Sequence, residues 1–177
     1  IRDLRDSRKH PYDTLLDSDR LDGKTVLVTG ASSGLGLAIS RNLAYRGARV
    51  LMVCRRDAMR ELESVRKAGR EGGGSAEILR ADMSDFASIR RLVGKLASDG
   101  ERIDVTISNA AAVCSSARRT VDGFEEMLQV NALAPALLIT GLLNAGVITN
   151  DSFAGNGRKT SGRDEVAGMA IEPGAQG

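Results

Sequence analysis

Thr25-Val-Leu-Val-Thr-Gly-Ala-Ser-Ser-Gly-Leu-Gly36, "TVLVTGASSGLG", decides the fold. It joins an apolar run to a glycine-punctuated turn, and "LAISRNLAYRG" follows with Leu35, Ile39 and Leu43 on one helical face before Gly47. The stretch therefore predicts a strand, a tight turn and a helix. Gly30, Gly34 and Gly36 fall in the turn. Glycines at that place let a dinucleotide pyrophosphate come close to backbone N–H groups and to the positive end of a helix.

Working outward, the unit repeats. "ARVLMVC" (48–54) is a second near-continuous apolar run, and "RRDAMRELESVRKAG" (55–69) has the spacing of a half-buried helix. After Gly72–Gly74, "SAEILRAD" supplies a third strand, and "SDFASIRRLVGKLASDG" a helix with Ser84 as its expected cap. "IDVTISNA" is a fourth strand, and "VDGFEEMLQVNALAPALLITGLLNAG" (121–146) a long helix with Asp122 near its start. Pro135 predicts a bend near Asn131, because proline removes an internal hydrogen bond and crowds the preceding turn. "GVITND" (146–151) is the expected fifth strand. Fully apolar strands alternating with helices require a sheet covered on both faces. The expected class is α/β, a doubly wound parallel Rossmann-like sheet truncated after about the fifth strand. Its expected organisation is an arm (1–22), a dinucleotide-binding domain (23–155) and a glycine-rich tail (156–177).

Composition narrows the function classes. The 177 residues suit one domain, and 3% aromatic content without Trp calls for an aliphatic core. Charges are interspersed, with 25 basic against 23 acidic residues, so no nucleic-acid footprint is expected. Cys54 and Cys114 lie in no metal or disulfide spacing and read as buried free thiols of a reducing compartment. No uninterrupted apolar run reaches membrane-span length, and the opening 20 residues lack an apolar signal core. The expected location is intracellular, cytoplasm or mitochondrion. The initial Ile suggests a processed or partly recorded chain, so any address upstream is unread.

Arg55 and Arg56 follow the second strand, where an NAD-preferring site commonly presents an acid to the ribose hydroxyls. Two guanidinium groups suit a 2′-phosphate, which favours NADP(H) over NAD(H); the alternative is a solvated pair salted by Asp57 or Glu61. Asp82 either accepts from an adenine amino group or caps the next helix.

These motifs together resemble the short-chain dehydrogenase/reductase superfamily, especially its retinol-dehydrogenase-like and WW-domain-oxidoreductase-like branch. "GKTVLVTGASSGLG", "GARVLMVCRR", Asp82, "DVTISNAA" and "DGFEEMLQVNALAPALLITGLL" carry the resemblance, which covers about Leu21 to Gly155. It implies a coenzyme turn at Thr29, Gly30, Ser32, Ser33, Gly34, Leu35 and Gly36, cofactor discrimination at Arg55 and Arg56, and an adenine-side contact at Asp82 and Met83. Asn109 and Ala110 match the central pair of the family's Asn-Asn-Ala-Gly, written here Ser108-Asn109-Ala110-Ala111. Asn131 matches the active-site Asn that helps order a proton-relaying water. "GVITNDSFAG" assigns Ser152 as the substrate-orienting serine.

The resemblance also implies a Tyr-x-x-x-Lys pair that exchanges the proton, yet the tyrosines are Tyr12 and Tyr45 and the only lysine beyond Ser152 is Lys159. Truncation and evolutionary loss look alike from the sequence. The expectation is therefore a non-catalytic or catalytically incomplete subunit with an NADP(H)-type fold, inactive as written and packed in a larger assembly. A partner subunit or homo-oligomer mate would cover an exposed sheet edge and the helix side with Leu133, Leu137 and Leu138. The alternative is an NADP(H)-dependent oxidoreductase of retinol or carbonyl-reductase type, acting on a small carbonyl or alcohol once its Tyr/Lys segment is supplied.

Overall fold

The computed structural model describes residues 19–149 and the strand residues 153–154. Most of the arm, Asp151 and Ser152, and the tail from Gly155 lie outside the described residues.

Five strands run parallel in the order β3-β2-β1-β4-β5. They are β1 (Thr25–Thr29), β2 (Arg49–Cys54), β3 (Ser75–Arg80), β4 (Val105–Ile107) and β5 (Phe153–Ala154). The crossover helices are α1 (Gly34–Tyr45), α2 (Met59–Gly72) and α3 (Phe86–Ser98). Between β4 and β5 the chain forms α4 (Glu126–Leu128), a π turn (Gln129–Leu133) and α5 (Ala134–Asn144).

The apolar strand runs follow from cover on both faces. Val26 and Val28 of β1, with Val50, Met52 and Cys54 of β2, pack in one cluster with Ala44, Leu62 and Val65 of α1 and α2. Leu27, Leu51 and Val53, the residues between them, join Ile89, Leu92 and Leu96 of α3 and Ala134, Leu138 and Leu142 of α5. The period of two sends alternate side chains to opposite helix layers, so a half-polar strand would fail here. The doubly wound expectation is met.

Register pairs Val26 with both Val50 and Val105, which makes β1 the central strand. At the N-terminal edge of the sheet, Arg49 forks onto Glu101 (2.6 and 2.7 Å) and reaches Glu77 across the β2–β3 pair, while Lys24 meets Asp104 at 2.8 Å. These pairs close the end of the sheet opposite to the glycine turn.

Several expectations are corrected. Residues 146–149 are not strand: the Val147 and Ile148 amides both turn back to the Leu142 carbonyl, closing α5, and the fifth strand begins only at Phe153. The long helix starts at Glu126, because residues 118–126 fold as an antiparallel turn with Arg119 bridged to Glu125. Asp85, not Ser84, caps α3, its carboxylate accepting from the Ala87 amide at 2.8 Å. Cys54 is buried but Cys114 is only half-buried. Leu138 is wholly buried, so it belongs to the core of this domain and not to an exposed helix side.

The bend expected near Asn131 is the π turn, in which the Ala134 amide donates to the Gln129 carbonyl, five residues back. Pro135 sits in the first turn of α5, where its missing N–H breaks the regular ladder. Residues 126–144 together are long and apolar enough to cross a membrane by length and composition; here Ala134, Leu138 and Leu142 are spent on the core.

Candidate functional site

Between β1 and β4 the strand order reverses, and in an open parallel sheet such a switch point leaves a crevice beyond the carboxyl ends of the strands. The crevice is here a cleft of about 600 Å3. The ends of all four long-paired strands reach it, through Gly30 after β1, Val53 and Arg55 at β2, Ala81 to Met83 after β3, and Asn109 to Ala112 after β4.

The glycine turn divides into one open position and two tight ones. Gly34 has φ +50°, and a Cβ built there meets nothing within 4 Å, so its surface faces the cleft. A Cβ on Gly36 would lie 2.3 Å from the Gly30 carbonyl oxygen and 2.4 Å from Asn109 Nδ2. Gly36 thus seats α1 against β1 and β4. Ser33 caps α1 with extended backbone and no side-chain hydrogen bond, and no acid stands in the first turn. The first amides of α1 therefore remain available to an anion, and the helix end is left positive.

Thr29 and Asn109 stitch the two central strands. The Thr29 Oγ1 accepts from the amides of Asn109 and Ala110, both at 3.0 Å, and Asn109 Nδ2 donates to the carbonyls of Thr29 (3.1 Å) and Gly30 (3.3 Å). Thr29, 2% exposed, does not line the cleft.

Asp82 Oδ1 accepts from the Ser84 amide and hydroxyl (2.9 and 2.6 Å), which folds the turn into α3 and leaves Asp82 and Met83 on the cleft wall. The structure thus gives Asp82 a turn-forming role just ahead of the helix cap. Ser32 lies by Cys54, whose thiol is pushed up chiefly by burial, an effect partly offset by the Ser32 hydroxyl.

Of the positions expected to bind a cofactor, Gly30, Ser32, Ser33, Gly34 and Leu35 from the turn line the cleft, joined by Arg55, Asp82, Met83, Asn109 and Ala110. Thr29 and Gly36 lie behind it as packing, and Arg56 is exposed but outside the lining. Asn131 brackets a backbone: its Oδ1 accepts from the Ala112 amide at 2.8 Å and its Nδ2 donates to the Ala112 carbonyl at 2.9 Å. Ser152 lies outside the described residues.

The structure adds residues that the sequence reading missed. Val113, Arg118, Glu126 and Val130 line the cleft's remaining wall, with Arg118 Nε 2.7 Å from Glu126 Oε2 and its Nη2 3.0 Å from Cys114 Sγ. They come from an irregular loop, the first residue of the one-turn α4 and the π turn, where no periodicity announces which way a side chain faces. Among the described residues no group of three or more His, Cys, Asp or Glu could hold a metal.

The family description of short chain dehydrogenases matches residues 24–156. Retinol dehydrogenase 14 of Homo sapiens is 36% identical over 140 residues, covering 72% of this chain and 42% of that protein. A fatty acyl-CoA reductase of Acinetobacter baylyi is also 36% identical, over 130 residues, covering 71% of this chain and 43% of that protein. The chain thus spans less than half the length of these curated relatives. A metagenomic short-chain oxidoreductase solved in complex with NADP superposes with a TM-score of 0.58 at 33% identity, over 71% of this chain and 57% of that one. A short-chain dehydrogenase from Sphingobium yanoikuyae in complex with NADPH gives 0.55 at 30%, over 67% and 46%.

These matches correct the expectation of a non-catalytic packing subunit, inactive as written. The match runs through nearly the whole described domain, and the relatives that share it are named as dehydrogenases and reductases.

Proposed function

The chain belongs to the short-chain dehydrogenase/reductase family, and from that premise we propose that it is part of an NADP(H)-dependent oxidoreductase that interconverts a carbonyl and an alcohol. The observation that carries the reading is the pairing, on one cleft, of an uncapped helix end beside open Gly34 with Arg55 at the end of β2. Two relatives solved with NADP and NADPH support the choice of cofactor, and the retinol dehydrogenases at 36% identity support a retinol-like or other apolar substrate.

The residues present fit that cofactor. The backbone around Gly34 and Leu35 is the pyrophosphate cradle, since a Cβ built on Gly34 would meet nothing within 4 Å and the approach stays open. Arg55, with Arg56 beside it, would hold the 2′-phosphate, a group that a paired guanidinium recognises by geometry and charge. Asp82 and Met83 form the adenine-side wall, and Asn109 to Ala112 the nicotinamide-side wall. When bound, the cofactor supplies or takes the hydride.

The remaining work falls to the protein. Thr29 and Asn109 hold the ends of β1 and β4 rigid, so the wall they carry is preorganised. Asn131 fixes the Ala112 peptide, and Ser152 is assigned to orienting the substrate oxygen. Tyr45 ends α1 near Gly72, at the opposite end of the sheet, and does not line the cleft. Among the described residues no Tyr or Lys lines the cleft, and the phenol that exchanges the proton in this family, with the ammonium beside it, belongs to the proposal for the whole protein.

Steady-state NADPH oxidation by the whole protein, against a panel of retinal-type and small carbonyls, tests the reading. Alcohol formed in step with NADPH consumed, and faster than with NADH, is expected. No turnover of any carbonyl, or a preference for NADH, would contradict it.

A further inference from the structure

Gln129 is fully buried, an uncommon place for a primary amide, and both ends of its side chain are used. Its Nε2 donates to Asp122 Oδ2 at 2.6 Å, and its Oε1 accepts from the Thr120 hydroxyl. The same Asp122 oxygen accepts from the Phe86 amide at 2.8 Å, the first residue of α3. One carboxylate thus ties the start of α3, four residues after Asp82, to the start of the π turn.

The π turn then carries the opposite wall. Val130 lines the cleft, and Asn131 clasps Ala112 through both its amide and its carbonyl. A turn widened to an i to i−5 bond has slack that a regular α turn lacks, so its register needs outside anchors. The Asn131–Ala112 clasp is one anchor. The Gln129–Asp122 bond is another: its Gln129 end is fully buried, where such a bond is strong, and its loss leaves Asp122 Oδ2 held by the Phe86 amide alone.

We propose that Gln129 is a positioning residue: through Asp122 it locks the π turn to α3, and so sets where Asn131 holds the Ala112 peptide on the nicotinamide-side wall of the cleft. The assignment of that wall rests on the NADP(H) reading above. The pyrophosphate cradle and Arg55 stand on α1 and β2, outside this chain of contacts. The two halves of the dinucleotide should therefore respond differently to its loss.

The experiment compares wild type, Gln129→Met, and Gln129→Glu with and without Asp122→Asn, on the full chain. Calorimetry gives Kd for NADP+ and for adenosine 2′,5′-bisphosphate, and hydrogen exchange without ligand follows the Ala112 amide. In Gln129→Met, NADP+ should weaken about tenfold, the bisphosphate should bind as in wild type, and the Ala112 amide should lose protection. Gln129→Glu alone sets two carboxylates together and should behave likewise. Adding Asp122→Asn removes the repulsion between carboxylates and restores one of the two bonds that Asp122 Oδ2 accepts, so it should recover part of both readouts. Equal weakening of both ligands with Ala112 still protected would show a merely structural role and overturn the proposal, as would no change at all. If wild type binds neither ligand, the NADP(H) reading fails, while the Ala112 exchange and its rescue still decide whether Gln129 positions that peptide.

Discussion

A methyl group distinguishes the roles of two glycines, Gly34 and Gly36, two residues apart along the same turn. At Gly36 it would collide with the Gly30 carbonyl, which cannot move without dislodging β1, whereas at Gly34 it enters open space and only the left-handed φ resists it. Gly36→Ala should destabilise by about 3 kcal/mol, and Gly34→Ala by about 1 kcal/mol. Denaturant melts of the two variants check the order, and equal losses would contradict it. Thr106 gives a prediction of opposite sign. Its hydroxyl is buried without a hydrogen-bond partner among the described residues, on a strand whose neighbours are apolar. Thr106→Val keeps the shape and removes the unpaired group, so a gain of about 1 kcal/mol is expected; a loss would mean that the hydroxyl is satisfied after all. The glycines were legible in the sequence because their spacing is local. Gln129 was not, since its burial depends on Asp122 and Thr120 arriving from a turn that no periodicity marks.

At the scale of elements, β1 and β2 could be read directly because their runs are almost wholly apolar, whereas the edge strand β3 carries Ser75, Glu77 and Arg80, and α1 buries Gly36, Ser40 and Ala44 while Leu35, read as part of its apolar face, is exposed. The segment from 118 to 149 was misread where hydrogen bonds override pattern: the Arg119–Glu125 bridge delays the helix, and the amides of Val147 and Ile148 prefer the Leu142 carbonyl to a sheet ladder. The ion pairs that close the N-terminal edge of the sheet give a pH dependence. The Arg49 fork holds Glu101 below the usual carboxylate range, and Lys24 does the same for Asp104. Below the ordinary range the unfolded chain takes up protons that the folded one refuses, so stability rises with pH. That contribution is complete above about pH 5 and is lost as acid carries the solution through the lowered folded values. Thermal melts should be flat near neutrality and fall in acid, and Glu101→Gln should show a shallower fall. An unchanged slope in that variant would assign the acid sensitivity elsewhere. The effect is expected to be modest, because Arg49 and Asp104 retain solvent contact.

For the whole molecule, the sheet order places the glycine turn, Arg55, Asp82 and Asn109 on one cleft, although they are spread over 80 residues of sequence. That convergence was foreseeable from the repeated strand–helix unit, whose crossovers bring successive strand ends to the same edge of the sheet. The far wall at Val113, Arg118 and Glu126 was not, because it is built from a loop and the one-turn helix that follows it. The absent Tyr-x-x-x-Lys pair is one local feature, whereas the family match extends over residues 24–156. The account rests on a dinucleotide held at the α1 turn with its 2′-phosphate on Arg55. Calorimetric titration of NADP+ and NAD+ into wild type and Arg55→Ala measures this most directly. NADP+ should bind at least about tenfold more tightly than NAD+ to wild type, and Arg55→Ala should erase most of that ratio. Equal affinity for the two dinucleotides, or a ratio untouched by the substitution, would contradict the account.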